Sequence, residues 1–155
     1  MRRFTTLIPL TAVGVMAFLV PSPARAQEAP QADGVFVTVP NPITEGAINS
    51  QIKPAIDHAR NDPRRNVKKV VFDFNPDGKD SATDSFGPCY ELAKYIRKLR
   101  DNGIMGIAFV HGKTTRHTVL PVIACEELVM SSGAQIGEVW SKEVPVTKDE
   151  QTIYQ

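Results

Sequence analysis

The stretch Gly103–Gly137, GIMGIAFVHGKTTRHTVLPVIACEELVMSSGAQIG, decides the fold. Ile104 to Val110 is an unbroken apolar run of strand length that closes on His111 and Gly112. Leu128 to Met130 is a second, shorter run, followed by a turn that ends at Gly137. Between them, Thr118 to Cys125 is apolar and rich in small residues and reads as a buried helix. Apolar runs without polar alternation indicate elements covered on both faces, as in a parallel α/β sheet. The polar segment Gly112–His117 joins a strand to a helix N-terminus, which is where an α/β protein places its chemistry.

Upstream, Val35–Val39 (VFVTV) is β-branched and alternating and reads as a strand. Pro40-Asn41-Pro42 ends it, and Thr44 can cap a helix. In Glu45–Arg60 the residues Ile48, Ile52, Ala55, Ile56 and Ala59 form one helical stripe. Pro54 interrupts that stripe and is expected to kink the helix or delay its start. Val70–Phe74 is the next strand, followed by the turn Asn75-Pro76-Asp77-Gly78. Pro88–Arg100 reads as a helix buried through Cys89, Leu92, Ala93, Ile96 and Leu99, with Gly103 as its stop. The alternation predicts an α/β domain over 34–140 with a mostly parallel sheet. Its strands are Val35–Val39, Val70–Phe74, Ile104–Val110 and Leu128–Met130. The loops Asn75–Lys79 and Gly112–Thr118 both follow such strands and are expected to meet at the carboxyl edge. After Gly137 the sequence turns polar, no further strand–helix unit is read, and 141–155 is assigned as a tail.

Residues 1–26 read as a signal peptide: Arg2 and Arg3, the apolar run Leu7–Val20, then Ala24-Arg25-Ala26. The run is short for a transmembrane helix, which needs about 20 residues. Export to the periplasm or medium is expected, with membrane attachment only if the signal stays as an anchor. Residues 27–33 form a polar lead-in. The chain has 155 residues with 18 basic and 17 acidic side chains; loss of Arg2, Arg3 and Arg25 would leave 15 against 17, a formal −2. That balance argues against a nucleic-acid partner. The run Arg64, Arg65, Lys68, Lys69 reads as a solvated loop.

The segment LVMSSGAQIG, preceded by Glu126 and by a strand, a Gly loop and a small-residue helix, resembles the core of the Clp-protease/crotonase superfamily. Within it, the chain is most similar to membrane-associated serine peptidases of the signal peptide peptidase A and NfeD type. The resemblance extends back to about Gly34 and implies a sheet built from ββα-type units, here truncated at the C-terminus. It implies an oxyanion loop at Asn75–Gly78, with Gly78 as a candidate donor and Asp77 in place of a glycine. It also implies a nucleophilic serine on the helix after the third strand, and that position falls on Arg116. Arginine stays protonated and cannot attack a carbonyl. Thr115, one residue away, is the weak substitute. His117 is a poor partner for it, because residues two apart on a helix do not face each other. The family's downstream lysine base has only Lys142 and Lys148 as counterparts, both read as surface residues.

A competing pattern is Asp73-Phe74-Asn75-Pro76-Asp77-Gly78, with an acid at loop position twelve, which matches a calcium loop. Its ligands would be Asp73, Asn75, Asp77, Ser81 and Asp84; no other cofactor is indicated. His58, His111 and His117 lack metal-ligand spacing, and His111 reads as a strand end. Cys89 and Cys125 read as small buried residues, although export would permit a disulfide. Three readings follow. One is an exported serine-peptidase-like hydrolase homologue with impaired catalysis. The second is an exported binding or assembly module on the same fold, taking a peptide or protein partner or forming a homo-oligomer. The third is a small calcium-binding domain.

Overall fold

A computed structural model describes residues 33–140 and 145–154. The expected signal segment 1–26 lies outside these residues, as do most of the lead-in and Lys142. The elements are β1 (Gly34–Val39), α1 (Glu45–Ala47), a π-helical segment (Ile48–Ile52), α2 (Lys53–Asn61), β2 (Lys69–Phe74), β3 (Ser81–Thr83) and α3 (Phe86–Asp101). They continue with β4 (Met105–Val110), β5 (Lys113–Arg116), α4 (Val119–Ile123), β6 (Glu127–Met130), β7 (Gln135–Ile136) and α5 (Lys148–Ile153).

Strands β1, β2, β4 and β6 pair in that order as a parallel sheet, as the apolar runs predict. One face packs on the helices. Val70, Phe72 and Phe74 of β2 and Ala108 and Val110 of β4 are buried against Ile52 and Ile56 and against Leu92 and Ile96. Each of the larger of these side chains, Ala108 excepted, contributes about 1.5–3 kcal/mol of burial free energy. The expected helical stripe of α3 is buried as read.

Pro54 explains the π-helical segment. Its ring has no N–H and would collide with the carbonyl of an α-helical turn before it. The helix widens there instead, with Lys53 N–H reaching back to Ile48 O. The expected kink is thus taken up by one wide turn, and Ile48 and Ile52 stay in the core.

Three expectations need correction. Two segments read as loops each contain a strand: β3 within the calcium-loop pattern Asp73–Asp84, and β5 within the polar segment Gly112–His117. Together with β7 they make a second parallel sheet, β3-β5-β7. Each is short and polar, so its pairing is invisible to a reading based on apolar runs. The tail also holds a helix, α5, fixed by a capping box between Thr147 and Glu150. Finally, described elements do not cover the strands on both faces. Strand β6 is an edge, and Leu128, Val129 and Met130 are 41–49% exposed. On the open face of the sheet Phe36 is 62% exposed and meets Phe109 edge-to-face at 6.5 Å. No described helix is long and apolar enough to cross a membrane.

The connectivity repeats. After β1, each strand of the first sheet is followed by one of the second: β2 then β3, β4 then β5, β6 then β7. Helices α3 and α4 close the first two of these units.

Candidate functional site

Parallel pairing puts Phe74, Val110 and Met130 side by side at the carboxyl ends of β2, β4 and β6. The next residues, Asn75, His111 and Ser131, leave the sheet together. Asn75 takes a left-handed backbone (φ 53), which its short polar side chain tolerates. Its Nδ2 donates to Lys79 O (2.7 Å), and its Oδ1 accepts the His111 N–H (3.2 Å). Gly78 N–H donates to Asn75 O (2.9 Å) and closes the turn. The two loops expected to meet therefore do so, held by Asn75 and by Gly112.

Asp73 lies one row further back on the open face, in register with Phe109. His111 Nε2 is 2.7 Å from Asp73 Oδ1, and Ser131 Oγ is 3.5 Å from His111 Nδ1. Ser131 N–H donates to Val110 O (2.9 Å), which seats the serine at the strand end. The Phe109 ring packs on the imidazole at 4.1 Å between centroids. In the neutral tautomer that donates Nε2–H to the carboxylate, Nδ1 is the acceptor toward Ser131. Sequence reading missed this trio, taking Asp73 for a calcium ligand and His111 for a strand end. The available signal was a polar residue at the carboxyl end of each of three strands.

The residues singled out by family register sit elsewhere. Thr115 and Arg116 belong to β5, paired with Ala82 and Thr83, and not to a helix as expected. Arg116 has φ 58, donates its N–H to Glu138 O (3.0 Å), and brings Nε within 3.6 Å of Asp84 Oδ1. Its Nη1 is buried with no hydrogen-bond partner among the described residues. No hydrogen bond joins the Thr115 hydroxyl to any described base. The neighbouring His117 is engaged otherwise: Nδ1 meets Tyr154 OH at 3.0 Å and the ring meets Phe86 edge-on. Burial lowers the His117 pKa, against the pull of Glu150 and Asp84. The Gly78 N–H, the implied oxyanion donor, is spent within its own turn.

The side chains of the expected calcium loop have other partners here. Asp73 and Asn75 turn onto His111, Ser81 is buried in β3, Asp84 faces Arg116, and Asp77 is exposed. No group of three His, Cys, Asp or Glu side chains that could hold a metal occurs among the described residues. Cys89 and Cys125 are free thiols, both pushed up to about 12 by burial. Lys148 is exposed at the start of α5. His58 is exposed on α2. A crevice of about 280 Å³ lies at the carboxyl ends of β1 and β2, lined by Thr38, Asn41, Asn75, Asp77 and Lys79 among others. Compared with known proteins, the chain matches no family model, no curated protein and no solved structure.

Proposed function

We propose that this is an exported Clp/crotonase-like protein, a homologue of the signal peptide peptidase A and NfeD serine peptidases, that has lost catalysis at the family's nucleophile position and works as an assembly module. The carrying observation is Arg116. It occupies the residue before His117 and Thr118 at the entrance to α4, where the family's serine is expected, and its guanidinium is directed at Asp84. No base among the described residues is hydrogen-bonded to the hydroxyl of Thr115 beside it, and a threonine nucleophile needs one. The paired strands alternating between two parallel sheets agree with the ββα units the resemblance implies.

The assembly reading rests on β6. This edge strand pairs only with β4 among the described strands and exposes Leu128, Val129 and Met130. An exposed apolar edge is a template for pairing with another chain. A second copy is the simplest occupant, since two identical edges can pair about a twofold axis. Sedimentation equilibrium tests this. The chain is expected to dimerise with rising concentration, and Leu128→Lys with Val129→Lys to hold it as a monomer. A wild-type chain that stays monomeric at every concentration contradicts the assembly reading.

A further inference from the structure

We infer that Ser131 is the nucleophile of a hydrolytic site for activated acyl esters, with His111 as its base and Asp73 as the residue that positions the imidazole. This goes beyond the reading above, because it uses the carboxyl ends of the first sheet, whereas Arg116 lies on β5 of the second, and does not depend on it.

Three adjacent strands deliver the trio in spatial order: Asp73 from β2, His111 from β4, Ser131 from β6. The histidine is the middle member of a polar chain on a sheet face that also carries Phe36, Phe109 and Val129, with Thr38 and Glu127 in the same rows. Its Nε2 side is fixed at 2.7 Å by Asp73, its flank is held by Phe109, and the Gly112 and Asn75 contacts lock the backbone behind it. The remaining nitrogen points to Ser131 Oγ at 3.5 Å, a separation typical of a nucleophile and base before substrate draws them together. Nucleophile, base and orienting carboxylate are recognised by this geometry and not by sequence order.

The reaction balances with water as the only co-reactant. Ser131 Oγ bonds to the acyl carbon as its proton passes to His111 Nδ1. The bond from the acyl carbon to the leaving oxygen then breaks, and His111 returns the proton to that oxygen. Water attacks the acyl-serine, giving one proton to His111, which passes it back to Ser131 Oγ as the acid departs. Ester and water become acid and alcohol. The turn after Ser131 closes through Ala134 N–H to Ser131 O (3.0 Å), with Gly133 at φ 85. The Ser132 N–H takes no part in that bond and is the backbone donor next to the nucleophile.

Substrate class follows from the surroundings. An open face with one adjacent donor gives little stabilisation to an oxyanion, so the site suits esters with good leaving groups and not peptide amides. Phe109, Phe36 and Val129 share this face and favour an apolar acyl group.

The test is labelling of the purified chain with a fluorophosphonate, located by peptide mass spectrometry, alongside turnover of p-nitrophenyl butyrate. A single adduct on Ser131 is expected. Ser131→Ala should lose the adduct and slow turnover by roughly a hundredfold. Asp73→Asn should lower kcat with KM unchanged, which a merely structural role would not separate. Ser50→Ala, on the distant helical face, should behave as wild type. Absence of a Ser131 adduct in wild-type chain with a native circular dichroism spectrum overturns the inference. So does wild-type turnover by Ser131→Ala, which would place the hydrolysis elsewhere.

Discussion

Gly112 packs directly on the carbonyl oxygen of Gly78. A Cβ at position 112 would stand 2.8 Å from that oxygen, 3.1 Å from Lys79 O and 3.2 Å from Asn75 Nδ2. Two of these neighbours are backbone and cannot swing aside. Gly112→Ala should therefore cost about 1–3 kcal/mol, the range for overpacking. Urea unfolding would show it as a lower midpoint at unchanged slope. A wild-type midpoint would mean the two loops are not in firm contact.

Thr83 ties the start of the helical region to the second sheet. Its Oγ1 accepts the Ile43 N–H at 3.0 Å, and both residues are about 1% exposed. Thr83→Val keeps the shape but leaves that N–H buried without a partner, at about 1–3 kcal/mol. Thr83→Ser retains the acceptor and should lose less. Equal losses for the two variants would show that the hydrogen bond is not what matters.

His117 should make stability depend on pH. Burial lowers its folded pKa below the ordinary value of 6.5, while Glu150 and Asp84 oppose and Arg116 adds to the shift. The unfolded chain therefore binds the proton more readily. Stability from this residue is full above about pH 6.5 and falls as pH drops through the folded pKa. His117→Gln should flatten that decline relative to wild type in urea midpoints measured between about pH 5 and 8. Parallel profiles for the two proteins would remove His117 as the cause.

Cys89, fully buried, should be inert, and Cys125, half-buried, should react slowly. Burial raises both thiols to about 12, so almost none is thiolate at neutral pH. Cys89 in the native protein should resist a thiol-reactive dye at pH 8 and react fully in urea. Rapid native labelling of Cys89 would contradict its burial.

How much of this was legible follows from what each signal requires. The strands Val35–Val39, Val70–Phe74, Ile104–Val110 and Leu128–Met130 announce themselves through local apolar runs, and the sheet contains all four. Strands β3 and β5 do not, because Ser81–Thr83 and Lys113–Arg116 are polar and owe their extended form to pairing across 33 positions, Ser81 with Thr114. Helix α5 could have been read from Thr147 and Glu150, a capping signature passed over in a polar tail. The Asp73–His111–Ser131 chain required the strand order. Only when β4 is known to lie between β2 and β6 do three distant polar residues become neighbours.

The most direct test of the account is turnover of an unstructured protein, such as casein, by the purified chain. Arg116 cannot act as a nucleophile, and no hydrogen bond joins the Thr115 hydroxyl to a base among the described residues, whereas a threonine nucleophile needs one. Wild type, Thr115→Ala and Arg116→Ser should all leave the substrate intact; a serine at 116 would still have no hydrogen-bonded base among the described residues. Clear cleavage by wild type that Thr115→Ala abolishes would contradict the account and make Thr115 the nucleophile.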